Sequence, residues 1–130
     1  MADATYVTKV QRRAGGSDLA IAAGGNFIQE PTVMSADGAI AVTSGVVVIT
    51  KSSAAALTLA APASADDGKL LYIVSTTAQA HTVTNSSPGF NAGGAANDVA
   101  TFGAAIGNNL VLLAYNQKWY VVSSVGITLA

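Results

Sequence analysis

The 130-residue chain contains no cysteine, which excludes disulfides, thiolate catalysis and zinc or iron–sulfur sites built on cysteine. It contains one histidine, His81, so a site that needs a histidine pair for a metal is excluded as well. Charged residues make up only 10%, against about 25% in an ordinary soluble domain. With a net charge of −1 and a pI near 5.5, there is no electrostatic footprint for nucleic acid. No apolar run reaches the roughly 18 residues that a membrane-spanning helix requires. The opening MADATYVTKVQRR lacks the long apolar stretch and small-residue cleavage site of an export signal, so the expectation is synthesis in the cytoplasm with no membrane partner.

What is abundant is apolar: 51% of residues are hydrophobic, in a chain the size of one domain. A surface so poor in charge is sticky, which implies that copies or partners cover part of it. The charges are also unevenly placed. Asp3, Lys9, Arg12, Arg13, Asp18, Glu30 and Asp37 crowd the first 37 residues, while the rest of the chain holds only Lys51, Asp66, Asp67, Lys69, Asp98 and Lys118. This divides the chain into an N-terminal arm, residues 1–37, broken by Gly15-Gly16 and Gly24-Gly25, and a low-charge body, residues 38–130.

Short Val/Ile/Leu/Thr/Tyr runs alternate with turn clusters about every ten residues along the body. The spacing predicts strands over 39–42, 46–51, 56–60, 70–75, 81–84, 99–102, 109–115, 118–123 and 126–129. The fold class that follows is all-β, an antiparallel β-sandwich or barrel-like body with an extended N-terminal arm. Ala54 to Ala61 is alanine-rich, but it is short and runs into Pro62, which disfavours a stable helix.

The sharpest local signal is LVLLAYNQKWYVV, two strand-like runs around Asn116-Gln117. A two-residue loop would pair Tyr115 with Lys118, Ala114 with Trp119, Leu113 with Tyr120 and Leu112 with Val121. Gln117 fits a tight primed turn poorly, which leaves the loop at two residues or more. One face of this hairpin then carries Leu110, Leu112, Ala114, Trp119 and Val121, and the other Val111, Leu113, Tyr115, Tyr120 and Val122. Both faces are apolar. One-sided burial cannot account for that, so the second face needs a second sheet or another subunit.

In order, the body reads Leu57-Thr58-Leu59-Ala60-Ala61-Pro62, then Asp67-Gly68-Lys69 into Leu71-Tyr72-Ile73-Val74, then His81-Thr82-Val83-Thr84. Gly103 to Gly107, the apolar run Asn109 to Tyr115 and a closing Lys118-Trp119-Tyr120-Val121-Val122 follow. Over about residues 39–125 this order resembles a β-module of bacteriophage head-decoration and tail-fibre proteins. The resemblance implies a compact β-fold, commonly a homotrimer, in a virion structural protein. The chain departs from the pattern at Ala61, beside Pro62, and at Gln117, before the last strand. It also lacks the long shaft of a fibre, so a capsid decoration (cement or head-fibre) protein suits its length better.

Candidates for chemistry are few. His81 could in principle join Ser75, Thr82 and Asp66 or Asp67, yet its strand context fits a hydrogen-bonded structural histidine. Asp66-Asp67-Gly68 reads as a turn, because neighbouring residues of an extended segment point apart and supply no spaced oxygen ligands. The glycine-rich stretches 93–98 and 103–107 lack the spacing of a phosphate-binding loop. Tyr72, Tyr115, Trp119 and Tyr120 admit sugar stacking but fit a core or subunit contact better.

The expectation is therefore a non-enzymatic capsid decoration protein with no cofactor and no metal, bound to itself and to the major capsid protein or another virion protein. Its arm would attach through Tyr6, Val7, Lys9, Val10, Arg12 and Arg13, where apolar anchors and a basic trio lie together. The alternative is a tail-fibre receptor-binding or carbohydrate-binding module that recognises a host surface glycan.

Overall fold

The computed structural model describes residues 10–16 and 18–130, and among them the chain is β throughout, with three single-turn 3-10 segments. In the arm, β1 (Val10–Arg13) and β2 (Asp18–Ile21) form an antiparallel pair. The body follows as β3 (Thr32–Met34), β4 (Gly38–Ile40), β5 (Gly45–Ile49), β6 (Ala56–Leu59), β7 (Leu70–Ser75) and β8 (Thr82–Thr84). It closes with β9 (Val99–Phe102), β10 (Asn109–Tyr115), β11 (Lys118–Val125) and β12 (Ile127–Leu129). One five-stranded sheet has the order β11-β10-β7-β5-β3 and the other the order β12-β9-β8-β6-β4.

The all-β sandwich expected from the sequence is the fold, but its sheets are mixed instead of wholly antiparallel. From β3 to β8 each strand lies in the opposite sheet from the one before it. A chain that crosses to the second sheet and crosses back arrives in its original direction, so β3, β5 and β7 are parallel, as are β4, β6 and β8. Antiparallel pairing is confined in the body to β9 through β12 and their neighbours. Strand patterning records which residues face inward and carries no information about partner direction, which is why the sequence did not reveal this.

Two turns of this winding match in register. Gly45 pairs with Leu71 and Leu57 with Val83, so β5 and β7 share a displacement of 26 residues with β6 and β8. Every inward position of the second turn lies beside an inward position of the third: Val47 by Ile73, Ile49 by Ser75, Leu57 by Val83. All of these are buried. The body also begins earlier than the charge distribution suggested, because Thr32–Met34 pairs with β5 ahead of the boundary expected at Asp37-Gly38.

The β10–β11 hairpin has the register derived above, including Tyr115 with Lys118 and Ala114 with Trp119. Its loop is two residues, with Asn116 at φ 48° and Gln117 at φ 59°, the left-handed pair of a type I′ turn. Gln117 is held there without glycine, and the Asp67 carboxylate accepts the Asn116 N–H at 2.8 Å from outside the loop. The core between the sheets takes Leu71, Ile73, Leu110, Leu112 and Trp119 from one side and Leu57, Leu59, Val83 and Phe102 from the other.

Trp119 is fully buried, and its indole N–H donates to the Ala60 carbonyl at 2.9 Å, tying β11 to the end of β6. Trp119→Ala should therefore cost about 3–5 kcal/mol, since it opens a cavity and strands that carbonyl. Denaturant unfolding is the measurement. A midpoint close to that of the unaltered protein would contradict the placement of Trp119 in the core.

Candidate functional site

His81 is fully buried at the corner between β7 and β8, and both ring nitrogens are engaged. The Ala55 N–H donates to Nδ1 at 3.0 Å, so Nδ1 carries no proton and the neutral ring holds its hydrogen on Nε2. Nε2 lies 2.9 Å from the Thr77 hydroxyl, which in turn donates to the Lys51 carbonyl at 2.8 Å. Asn85, also buried, donates to the Leu59 carbonyl and accepts the Gly89 N–H. Each of these contacts to Ala55, Lys51 and Leu59 spans 26 residues, so the buried polar groups of one turn fasten it to the turn before.

The residues considered as partners for His81 are engaged elsewhere. The Ser75 hydroxyl donates to the Thr77 carbonyl at 2.6 Å. Asp66 accepts the Ala63 N–H and pairs with Lys69 at 2.7 Å, and Asp67 holds the hairpin turn. Asp37 pairs with Lys51 at 2.7 Å and accepts the Ala56 N–H. These bonds hold the Asp37 and Asp66 carboxyls below the usual aspartate range, the hydrogen bond from lysine being the largest cause in each case. Both carboxylates have structural work, at the β5–β6 corner and at the turn before β7.

The aromatic residues separate. Trp119 belongs to the core, whereas Tyr72 is 44% exposed and Tyr115 59% exposed on the outer face of the first sheet, with Tyr120 half-buried beside them. Pairing assembles that face into rows. Val33, Val48, Val74 and Asn109 lie side by side; Val46, Tyr72 and Val111 form the next row; Leu70, Leu113 and Tyr120 the third; Tyr115 and Lys118 end it. Lys118 is the only charge in these rows. The three central strands, about 4.8 Å apart and five to seven residues long at about 3.3 Å per residue, give roughly 300 Å² in plan, and Val33 and Tyr120 extend the face on either side. An apolar patch with one charge at its end suits an interaction surface.

The outer face of the second sheet is chemically different. Its rows are Ala39, Thr58, Thr84 and Val99, then Ala56, Thr82, Thr101 and Thr128. Hydroxyls satisfy water on that side. A shallow open groove of about 390 Å³ lies at its margin, lined by Thr58, Ala60, Ala61, Thr84, Ser86 and Ser87 among others, with no charge and no aromatic wall. The hairpin pattern in the sequence pointed to the apolar face through Val111, Leu113, Tyr115, Tyr120 and Val122. Val33, Val46, Val48, Leu70, Tyr72 and Val74 joined it only once the register was known. Val122 sits where the β10–β11 register shifts, exposed at the rim.

Of the arm residues singled out, Tyr6, Val7 and Lys9 lie outside the described residues. Val10, Arg12 and Arg13 belong to β1, where their partners on β2 are Ile21, Leu19 and Asp18.

Burial, followed by the Lys51 charge, pushes the His81 pKa below the usual value of about 6.5. As pH falls, the unfolded chain takes up a proton on His81 before the folded chain does, so this contribution is complete above about pH 6.5 and declines below it. The unfolding midpoint should hold level at higher pH and drop toward about pH 5, still above the range where Asp37 and Asp66 respond. His81→Gln should flatten the profile in that window; an unchanged slope would show that another group controls it.

Compared with known proteins, the chain matches no protein-family model, and no curated protein matches its sequence.

Proposed function

We propose that the protein is a non-enzymatic structural component of a bacteriophage particle, a capsid decoration protein that works as a homotrimer. The observation that carries the self-association is the outer face of the first sheet, where Val46, Val48, Tyr72, Val74, Val111 and Leu113 stand together with no covering layer among the described residues. The sandwich already has a complete core, so this second apolar layer is surplus to folding one chain. Leaving it in water is unfavourable, and burial at about 25 cal/mol per Å² of apolar area makes association favourable. The placement on a virion rests on the ordered module from Leu57 to Val122, which resembles phage decoration and fibre proteins.

The work of such a protein is mechanical. Trimers that bridge neighbouring capsid subunits add buried area and cross-links, and so oppose internal pressure by stabilising the assembled shell. Catalysis is a poor fit, because His81 is enclosed with both nitrogens bonded and Asp66 is committed to a lysine. The tail-fibre or glycan-binding alternative draws on Tyr72 and Tyr115, which are exposed and uncharged. Trp119, the best stacking side chain, is unavailable to it.

Light scattering of the purified protein should give the mass of a trimer. Tyr72→Asp combined with Val111→Asp, which sets two carboxylates at the centre of the face, should give monomers with an unchanged β circular-dichroism spectrum. A monomeric unaltered protein, or a trimer indifferent to both substitutions, would overturn the role given to this face. Imaging of particles carrying tagged protein should place the tag over the head; a tag confined to the tail would favour the fibre reading.

A further inference from the structure

The segment between β2 and β3, residues 22–31, carries Phe27 at 73% and Ile28 at 80% exposure, and its only charge is Glu30. It leads into β3, the edge strand of the sheet whose outer face is apolar. The segment does not fold back over that face in its own chain, because both side chains stand in solvent and Gln29 lies against Gly45 at the start of β5. One molecule thus displays an apolar strip with a single acid and, separately, an apolar face with a single base, Lys118. Among the described residues the ion pairs are Asp37 with Lys51 and Asp66 with Lys69, and neither Glu30 nor Lys118 takes part in them.

We propose that residues 22–31 of one copy lie along the strands on the outer face of the first sheet of the next copy, with Ile28 buried there and Glu30 beside Lys118. The inference rests on the self-association reading and adds the segment and the face that meet. Three considerations select this occupant over a face stacked on its own copy. Stacking the face on its own copy would leave the exposed Ile28 in water. A face stacked on itself is a two-fold contact that gives dimers, whereas a segment-to-face contact is heterologous and closes into a ring, for which three copies suffice.

The third consideration is spacing. In an extended segment Ile28 and Glu30 point to one side, about 6.6 Å apart. On the face, the Leu113–Tyr120 row and the Tyr115–Lys118 row are separated by the same two-residue step. Ile28 over Leu113 therefore brings Glu30 over Tyr115, whose cross-strand neighbour is Lys118.

The absence of cysteine makes disulfide trapping clean. Ile28→Cys and Leu113→Cys are placed in one chain, oxidised mildly as the full-length protein and run on a non-reducing denaturing gel. A ladder ending at the covalent trimer is expected, with little product from either single variant. Dimers from Leu113→Cys alone would mean that the face meets its own copy, and a cross-linked monomer would mean that the segment folds onto its own chain. Either result overturns the inference, as does an absence of cross-links in a protein that light scattering still shows to be trimeric; that last result leaves the proposed function standing. A monomeric unaltered protein removes both.

Charge reversal supplies a test that does not depend on cysteine placement. Glu30→Lys should weaken trimer formation by about tenfold at low salt, and adding Lys118→Glu should restore it. A double variant as weak as the single one would contradict the pairing.

Discussion

A displacement of 26 residues governs the body of this protein. It superimposes the β5–β6 turn of the chain on the β7–β8 turn, strand on strand and corner on corner, and fixes which side chains can face the core. Inward positions are stacked on inward positions, so apolar residues accumulate between the sheets without any strand changing its pattern. Where the later turn places a polar residue inward, at Ser75, His81 and Asn85, hydrogen bonds to its own corner or to the turn below satisfy it. Among the described residues no buried side-chain nitrogen or oxygen is left without a partner. Breaking that stacking would strand several of these groups together, and a half-satisfied buried network is more costly than an apolar one.

The same winding fixes what faces outward. One sheet presents threonine rows and the other valine, leucine and tyrosine rows, although both are equally needed to enclose the core. β-propensity accounts for neither choice, since threonine, valine and tyrosine are all good strand formers. Solvation does separate them, because hydroxyl rows are content in water and a valine–tyrosine face is not. Under the proposed self-association, this asymmetry marks the side of the sandwich that meets the next copy, and the exposed Phe27 and Ile28 precede the edge strand β3 of the same sheet.

Much of this was legible in the residues. The two-sided apolar run at Leu110 to Val122 announced strands with both faces in demand, and the hairpin register followed from a two-residue loop. Strand direction did not follow, because β5 and β7 alternate in the same way whichever way they run. The 26-residue relation was hidden by substitution: between 45–59 and 71–85 only Val48 and Val74, Thr50 and Thr76, Ala54 and Ala80, and Thr58 and Thr84 are identical, and the inward pairs Ile49 and Ser75, Ala55 and His81, and Leu59 and Asn85 differ in polarity. The start of the body was obscured for a related reason. Thr32–Met34 is a three-residue strand set between Glu30-Pro31 and Asp37, where local charge reads as arm. The apolar face was half visible for want of register, since no local pattern joins Val33, Val48 and Val74.

Hydroxyl-radical footprinting of the assembled protein tests the central claim most directly, because it reads the face residue by residue without altering it. Tyr72 and Tyr120 should be strongly protected relative to the same residues in a chain kept monomeric by dilution. Labelling of both tyrosines at equal rates in the two states would contradict the account, for the outer face of the first sheet would then be open to water in the assembly.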